Sequence, residues 1–524
     1  MKKVTSILLL LLTLLVGFSL GMRQNRMSKA QATNGVEKVN RLLHYIEQSY
    51  VEPIDTDSLV GHVIQEIVDG LDPHSSYIPA QEQRLIAEDM QGNFVGIGVS
   101  FYMLRDTVTV VRVLRGGPSA AAGIQTGDRI LMADQDTLYN KNLSSESIIG
   151  VLKDSQATDV RLQIYRKQQD SLFDLELQRG EVPLPSVNAA YAIDSLHTYV
   201  KVDRFSQTTL TEFRKALRKY VGQSTRKILI DLRDNPGGYL DPAISMAEFF
   251  LAKDQPIVQV KSNNGQEEWY HAEGEDPITE PGVYILVNEQ SASASEIVAG
   301  AIQDNDRGWI VGQRTFGKGL VQQQMPLGGG DVVRLTIARY YTPTGRSIQR
   351  PYERADHDQY FAELDRRRDS GELQDPDKIP LNDSLKYTTP KGRTVYGGGG
   401  IVPDIFVPNN NSIDQEWNNF LLRSNLVNRF VFLQFDKNPT LRKKFTVKRL
   451  LTTELNNPDF WVDGFQAYTE ELNVPISIEN ETLLKQTIRA YIALQLYGEE
   501  LYTQIINQSD PYIQAALDHT GMLP

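Results

Sequence analysis

Three serines alternate with alanines in Ser291-Ala292-Ser293-Ala294-Ser295, and a single lysine stands between two glycines in Gly317-Lys318-Gly319. A serine hydroxyl becomes a nucleophile when a neighbouring base takes its proton. A lysine can be that base only if its amine is neutral, so its pKa must fall from about 10.4 towards about 7, which desolvation achieves. Lys318 has small and apolar neighbours and no acidic residue within three positions. The serine segment follows the apolar run 282–288 and opens a helix, where free N–H groups and the positive helix end can hold an oxyanion. The N–H of Ala294 is a natural donor, and the loop Asn235-Pro236-Gly237-Gly238 offers a second. The residues alone leave a plainer reading open. The serines can be helix caps, with Glu296 completing a capping box three residues after Ser293, and Lys318 can be a surface lysine in a glycine turn. Spacing does not choose among Ser291, Ser293 and Ser295.

These segments need a frame. The run 227–233 and the run 282–288 read as buried strands, 293–304 as a helix and Trp309-Ile310-Val311-Gly312-Gln313 as a third strand. Asp241 reads as the N-cap of a helix over 242–252, with Pro242 at its first position. This β-α-β-α-β order predicts a parallel sheet with crossover helices, and both candidate loops then lie at the carboxyl ends of its strands, where open α/β sheets place their sites. Residues 331–343 add a longer strand, and 397–408 returns to strand. Residues 92–179 switch to a period of two and read as a small β-rich unit. Helices are expected over 36–51 and 59–70, with Asp72-Pro73 as a stop. Residues 352–393 are charge-rich and read as an irregular surface insertion. Beyond about 413 the chain reads helical, with Leu484, Ile488, Ile492 and Leu496 on one face. The expected parts are therefore 1–30, 31–91, 92–180, 181–410 and 411–524.

Composition removes several classes. A chain of 524 residues exceeds one ordinary core, and 40% hydrophobic with 23% charged residues fits a folded multidomain protein. The net charge of −12 and the lack of a long basic run argue against nucleic-acid binding. With no cysteine there is no disulfide, thiolate zinc site or cysteine nucleophile. There is no Gly-x-Ser-x-Gly and no His-Glu-x-x-His, and none of the seven histidines suggests a triad. Lys2 and Lys3 precede an apolar stretch from Val4 to about Met22, which reads as a secretory signal peptide or a single membrane anchor, and the lack of a clean cleavage site favours the uncleaved anchor. The remainder is then expected outside the cytoplasmic membrane, periplasmic or extracytoplasmic.

The segments DPHSSY (72–77), GIGVSF (96–101), GPSAAAGIQTGDRI (117–130), DLRDNPGG (231–238), SASASEIVAGAIQD (291–304), GQRTFGKGLVQ (312–322) and YYTPTGRSIQ (340–349) follow one another in the order of a known family. Together the chain resembles the C-terminal processing peptidases, tail-specific serine proteases with a PDZ domain, over roughly residues 35 to 408. The resemblance implies a multidomain α/β fold: N-terminal helices, a β-rich PDZ domain, a ClpP/crotonase-like protease core and, outside the shared motifs, a helical extension. It implies Ser293 as nucleophile, Lys318 as base, Gln322 orienting the lysine, and oxyanion donors at Ala294 and at Gly237 or Gly238. Asp304 falls on an acidic position expected to be structural. Residues 92–179 would be the PDZ domain, with Gly96, Ile97, Gly98 and Val99 as its carboxylate-binding loop. Arg112 and Arg115 either assist there or lie solvated on a strand edge. The implied reaction is hydrolysis of peptide bonds in proteins captured by their C-terminal tails, with no metal or other cofactor. An adaptor protein, a homodimer and the membrane are further expected partners. Two rival readings are a membrane-anchored PDZ scaffold with a silent core and a crotonase-like acyl-CoA enzyme.

Overall fold

The computed structural model describes residues 35–521 apart from 154–157, 275–276, 355, 410–412, 453–454, 456 and 475. The anchor expected over 1–30 lies outside these residues; among the described ones no helix is long and apolar enough to cross a membrane. The chain divides into two units after Leu71. The first contains the helices Gly35–Ser49 and Thr56–Asp69, the second of them capped by the Asp55 carboxylate.

The larger unit is organised by apolar strands. Ile228, Leu229, Ile230 and Val283 to Val287 are almost completely buried, as strands covered on both faces require. They lie in a six-stranded sheet of order Ala189–Ala192, His197–Lys201, Lys227–Asp231, Gly282–Val287, Gly308–Gly312, Ile405–Phe406. Its first pair is antiparallel and the rest parallel. Three carboxyl ends therefore face one edge: 232–238, 288–293 and 313–319. The helix Leu240–Glu248 starts earlier than the sequence pattern suggests. Tyr239 rather than Asp241 is its N-cap, and Asp241 sits in the first turn, where its charge still favours the positive helix end.

A second sheet closes over this edge. It joins Ser76–Ile78, Pro256–Ser262, Glu267–His271, Leu320–Gly328 and Asp331–Tyr341. The long strand expected over 331–343 thus belongs here, paired with a strand directly after Lys318 that the glycine-rich sequence around it concealed. Residues 397–408 contribute only Ile405–Phe406 as strand. A third sheet, of order Val99–Met103, Val108–Val113, Asp128–Ala133, Asp159–Arg166, Ser171–Gln178, holds its own apolar core with the helix Ser145–Lys153. Val99–Met103 is an edge strand of it.

Residues 352–393 differ from the expected irregular surface insertion. They contain the helix His357–Asp369, and Arg367 within it is buried. Its guanidinium donates to the carbonyl oxygens of Thr315 (2.8 Å), Arg314 (3.3 Å) and Phe316 (3.3 Å). Most charged residues of the segment are exposed as expected, but the Arg367 charge is spent on the backbone leading to Lys318. After 413 the chain is helical, with an apolar core that includes Leu484, Ile488 and Ile492, while Ile513 and Ala516 of its last helix, Pro511–Asp518, pack on Leu229, Leu286 and Val311 of the six-stranded sheet.

Asp304 and Arg346 form an ion pair at 2.7 Å with both side chains fully buried. Asp304 also accepts from the Thr344 hydroxyl at 2.6 Å, so it ties the helix Ala294–Asp304 to the turn 342–346. Asp304→Ala strands the Arg346 charge. It is expected to lower the unfolding free energy by about 3–5 kcal/mol, read as a shifted urea midpoint at unchanged slope. A shift below about 1 kcal/mol would mean that water reaches Arg346.

Candidate active site

The strand Gly282–Val287 ends in a turn that throws Ser293 into φ +55°, ψ −113° at the start of the helix Ala294–Asp304. That conformation is strained for any residue with a side chain, and it persists only where the surroundings enforce it. Here the neighbouring loop does so. A side chain added at Gly237, which has φ +103°, would come within 2.8 Å of the Ser293 Cβ and 3.0 Å of the Ala294 nitrogen. Glycine is therefore required for the two loops to meet.

The three serines are not equivalent. Ser291 is buried and donates to the Leu232 carbonyl at 2.8 Å. Ser295 is buried and donates to the Asn235 carbonyl at 3.0 Å. Ser293 alone of the three is partly exposed. The flanking serines stitch the helix start to the 232–238 loop.

One carboxylate fixes Ser293 and Lys318 together. Glu296 is fully buried. Its Oε2 accepts from the N–H groups of Ser293 (2.9 Å) and Lys318 (2.8 Å). Its Oε1 accepts from Gly317 N–H (2.7 Å) and the Thr315 hydroxyl (2.6 Å). Burial pushes this carboxyl up, and the four donors pull it partly back. Tyr340, also buried, approaches from below, its hydroxyl shared between the carbonyl oxygens of Ser293 (3.0 Å) and Lys318.

Lys318 Nζ donates to Gln322 Oε1 at 2.8 Å. Gln322 lies at a register shift in the Leu320–Gly328 strand, the kind of irregularity that re-aims a side chain. Its amide N–H donates to the His74 carbonyl, which leaves Oε1 for the lysine. His74 is held by Asp72, whose carboxylate accepts from the N–H groups of His74 (2.9 Å) and Ser75 (3.0 Å) and from the hydroxyls of Ser75 (2.6 Å) and Thr336 (3.1 Å). The Lys318 amine is lowered to about 8, by burial first and then by the Arg334 charge, against the pull of Glu296 and Asp72. The His74 ring lies nearby, lowered to about 3 by burial, and so stays neutral.

The two glycines of the 235–238 loop also differ. Gly237 N–H donates to Asn235 Oδ1 at 2.8 Å. The N–H groups of Gly238 and Ala294 donate to no protein acceptor among the described residues. In the third sheet the carbonyls of Ile97 and Gly98 turn inward to Ser119 N–H (2.9 Å) and Leu114 N–H (2.9 Å). Val99 opens the edge strand and Gly96 ends the preceding one. Arg112 is half-buried and Arg115 exposed. Arg112 pairs with Glu499 at 2.7 Å and Arg115 donates to the Tyr497 carbonyl at 3.2 Å, so both bind the helical extension.

Motif reading passed over Tyr340, Asp72, His74 and the Glu363–Arg367 helix as parts of this site. Asp-Pro-His-Ser-Ser was legible as a turn, with Asp able to accept from the N–H groups two and three residues on. Nothing local said that the turn lies beneath Gln322.

Residues 197–357 match the model of peptidase family S41, and residues 95–177 match that of the PDZ domain. The carboxy-terminal processing protease CtpB of Bacillus subtilis is 29% identical over 324 residues, 61% of this chain and 67% of its own. A carboxy-terminal-processing protease of Bartonella bacilliformis is 32% identical over 308 residues, 58% of this chain and 70% of its own. A probable CtpA-like serine protease of Staphylococcus epidermidis is 30% identical over 346 residues, 66% of this chain and 68% of its own. The fold and these matches define a serine-type peptidase with a PDZ domain. The chain belongs to the carboxy-terminal processing proteases of family S41. Neither the silent scaffold nor the acyl-CoA enzyme finds support among the matches.

Proposed function

We propose that Ser293 and Lys318 form the catalytic dyad of an endopeptidase that captures protein C-terminal tails. The observation that carries this reading is the Glu296 carboxylate, which holds the backbone of the strained serine and that of the half-buried lysine in one four-donor clamp. Neutral Lys318 takes the Ser293 proton, and Oγ attacks the scissile carbonyl. The oxyanion rests on the N–H groups of Ala294 and Gly238, and Gly237 shapes the loop. Lys318 then protonates the leaving amine, and water releases the acyl group. Gln322 keeps the amine aimed throughout. Tails enter at the Gly96–Val99 loop and add to the edge strand Val99–Met103, as peptides add to PDZ sheets. Residues 1–30 anchor the chain to the cytoplasmic membrane, with the rest outside it. The helical extension is the surface for an adaptor protein or a second copy.

The assay is cleavage of an unfolded protein with an apolar C-terminal tail by the chain without residues 1–30. Cleavage of the tailed protein, and slower cleavage of a tail-capped version, is expected. No cleavage of either overturns the enzymatic assignment to this site.

The same assay gives a pH profile with a definite sign. A lysine lowered to about 8 is protonated, and inactive as a base, below that value. The apparent kcat/KM is therefore expected to rise tenfold per pH unit up to about 8 and to level above it. A rising limb near about 6.5, the ordinary histidine range, would assign the base to another group.

A further inference from the structure

Lys153 closes the helix Ser145–Lys153 and abuts the loop read above as the tail receptor. A Cβ added at Gly96 would stand 3.4 Å from the Lys153 Cγ. The ammonium lies 4.4 Å from the centre of the Phe94 ring, on the strand Asn93–Gly96 that leads into the loop. The N–H groups of Ile97 and Gly98 donate to no protein acceptor among the described residues. Unpaired amides beside a lysine are complementary to a carboxylate.

That lysine is already engaged. Glu88 Oε2 lies 2.5 Å from Lys153 Nζ, with both side chains about three-quarters buried, 26% and 22% exposed. Glu88 is badly placed for its own helix. It stands in the last turn of Ala80–Gln91, where the carbonyl ends repel an anion, and no basic residue shares that turn. Helix stability does not account for a glutamate there, whereas a carboxylate aimed at Lys153 does.

We propose that Lys153 receives the terminal carboxylate of the captured tail and that Glu88 is its internal competitor. The proposal rests on the tail-capture reading of the Gly96–Val99 loop. An arriving chain end takes the Lys153 ammonium together with the loop amides, and Glu88 is released to solvent. A tail ending in an amide offers no charge to exchange and leaves the Glu88 pair intact. The pair thus sets a threshold. Internal segments of a polypeptide are refused, and free chain ends are admitted.

The test uses the full-length chain with Ser293→Ala, so that ligands survive, and two apolar ten-residue peptides identical but for a free carboxylate or an amide at the C-terminus. Binding is read by calorimetry. The free carboxylate is expected to bind about tenfold tighter than the amide, the worth of one charge-assisted hydrogen bond. Lys153→Met keeps the apolar stem and is expected to collapse that ratio towards one. Glu88→Gln is expected to tighten the carboxylate peptide by a further ~tenfold and to leave the amide unmoved. Added to Lys153→Met, it is expected to change nothing, the signature of a shared partner. A salt bridge that only fastens the domain would shift both peptides equally. That result, or a ratio that survives Lys153→Met, overturns the proposal. Absence of binding by either peptide to all of these chains overturns tail capture at this loop, and the proposal with it.

Discussion

Ser293→Ala is expected to lower peptide cleavage by at least about 10⁴-fold, and Lys318→Ala by a similar factor. Ser293 stands at a strained turn, where the helix start and the Gly237 loop leave its backbone no alternative. Alanine keeps that geometry and removes only the oxygen. Lys318→Ala removes the amine lowered to about 8 and leaves His74, neutral but facing Tyr360 at 2.8 Å, as no substitute. The double variant is expected to be no worse than either single one, because the two groups share one proton transfer. The measurement is initial rate on the unfolded test protein, with the urea midpoint of each variant as control. Ser291→Ala and Ser295→Ala sharpen the result. Both hydroxyls are committed to carbonyl oxygens, so these variants are expected to lose about 1 kcal/mol of stability and to keep cleaving. Abolition by Ser291→Ala, with Ser293→Ala active, would move the nucleophile.

Glu296→Ala is expected to have the second largest effect, on two observables at once. Four donors lose their acceptor where the fully buried Glu296 side chain stood: the N–H groups of Ser293, Gly317 and Lys318 and the Thr315 hydroxyl. Unpaired buried donors and a cavity together cost about 3–5 kcal/mol. The carboxylate also sets where the serine and lysine segments stand relative to each other, and displacements near 1 Å cost on the order of 10²-fold in rate. Glu296→Ala is therefore expected to unfold at lower urea and, where still folded, to cleave about 100-fold more slowly with KM little changed. Glu296→Gln keeps the volume but turns an N–H₂ towards two donors, and should show the same pattern more weakly. Stability lost with kcat intact would reduce Glu296 to a structural role.

Several features of the fold are legible in the sequence. The alternating strand and helix pattern announced the parallel sheet, because a strand covered on both faces must have an apolar centre, and 228–230 and 283–287 provide one. The switch to a period of two announced the small β unit for a similar reason. The motif order identified the family. Where charge was used as a guide to exposure, the reading held only in part. Most of the charge in 352–393 is exposed, yet Arg367 from within it, with Arg314 and Arg350 from outside it, shares the Glu363 carboxylate. Arg350 is also held between the rings of Phe316 and Tyr360, 4.0 and 3.8 Å from their centres. A sequence counts charges but does not say which ones face each other.

By itself the sequence determined the residue types at the site, the strand ends that carry them and the family to which the chain belongs. Those are properties of short segments: apolar period, glycine at forced turns, serine at a helix start. Only the tertiary structure decided which of three serines is partly exposed, which of two glycines keeps an N–H without an acceptor among the described residues, and that His74, held by Asp72, supports Gln322 from 248 residues away. Each of these depends on hydrogen-bond partners brought together by packing. Partnership across that separation is set by the shape of the whole core, and no local pattern of residues records it.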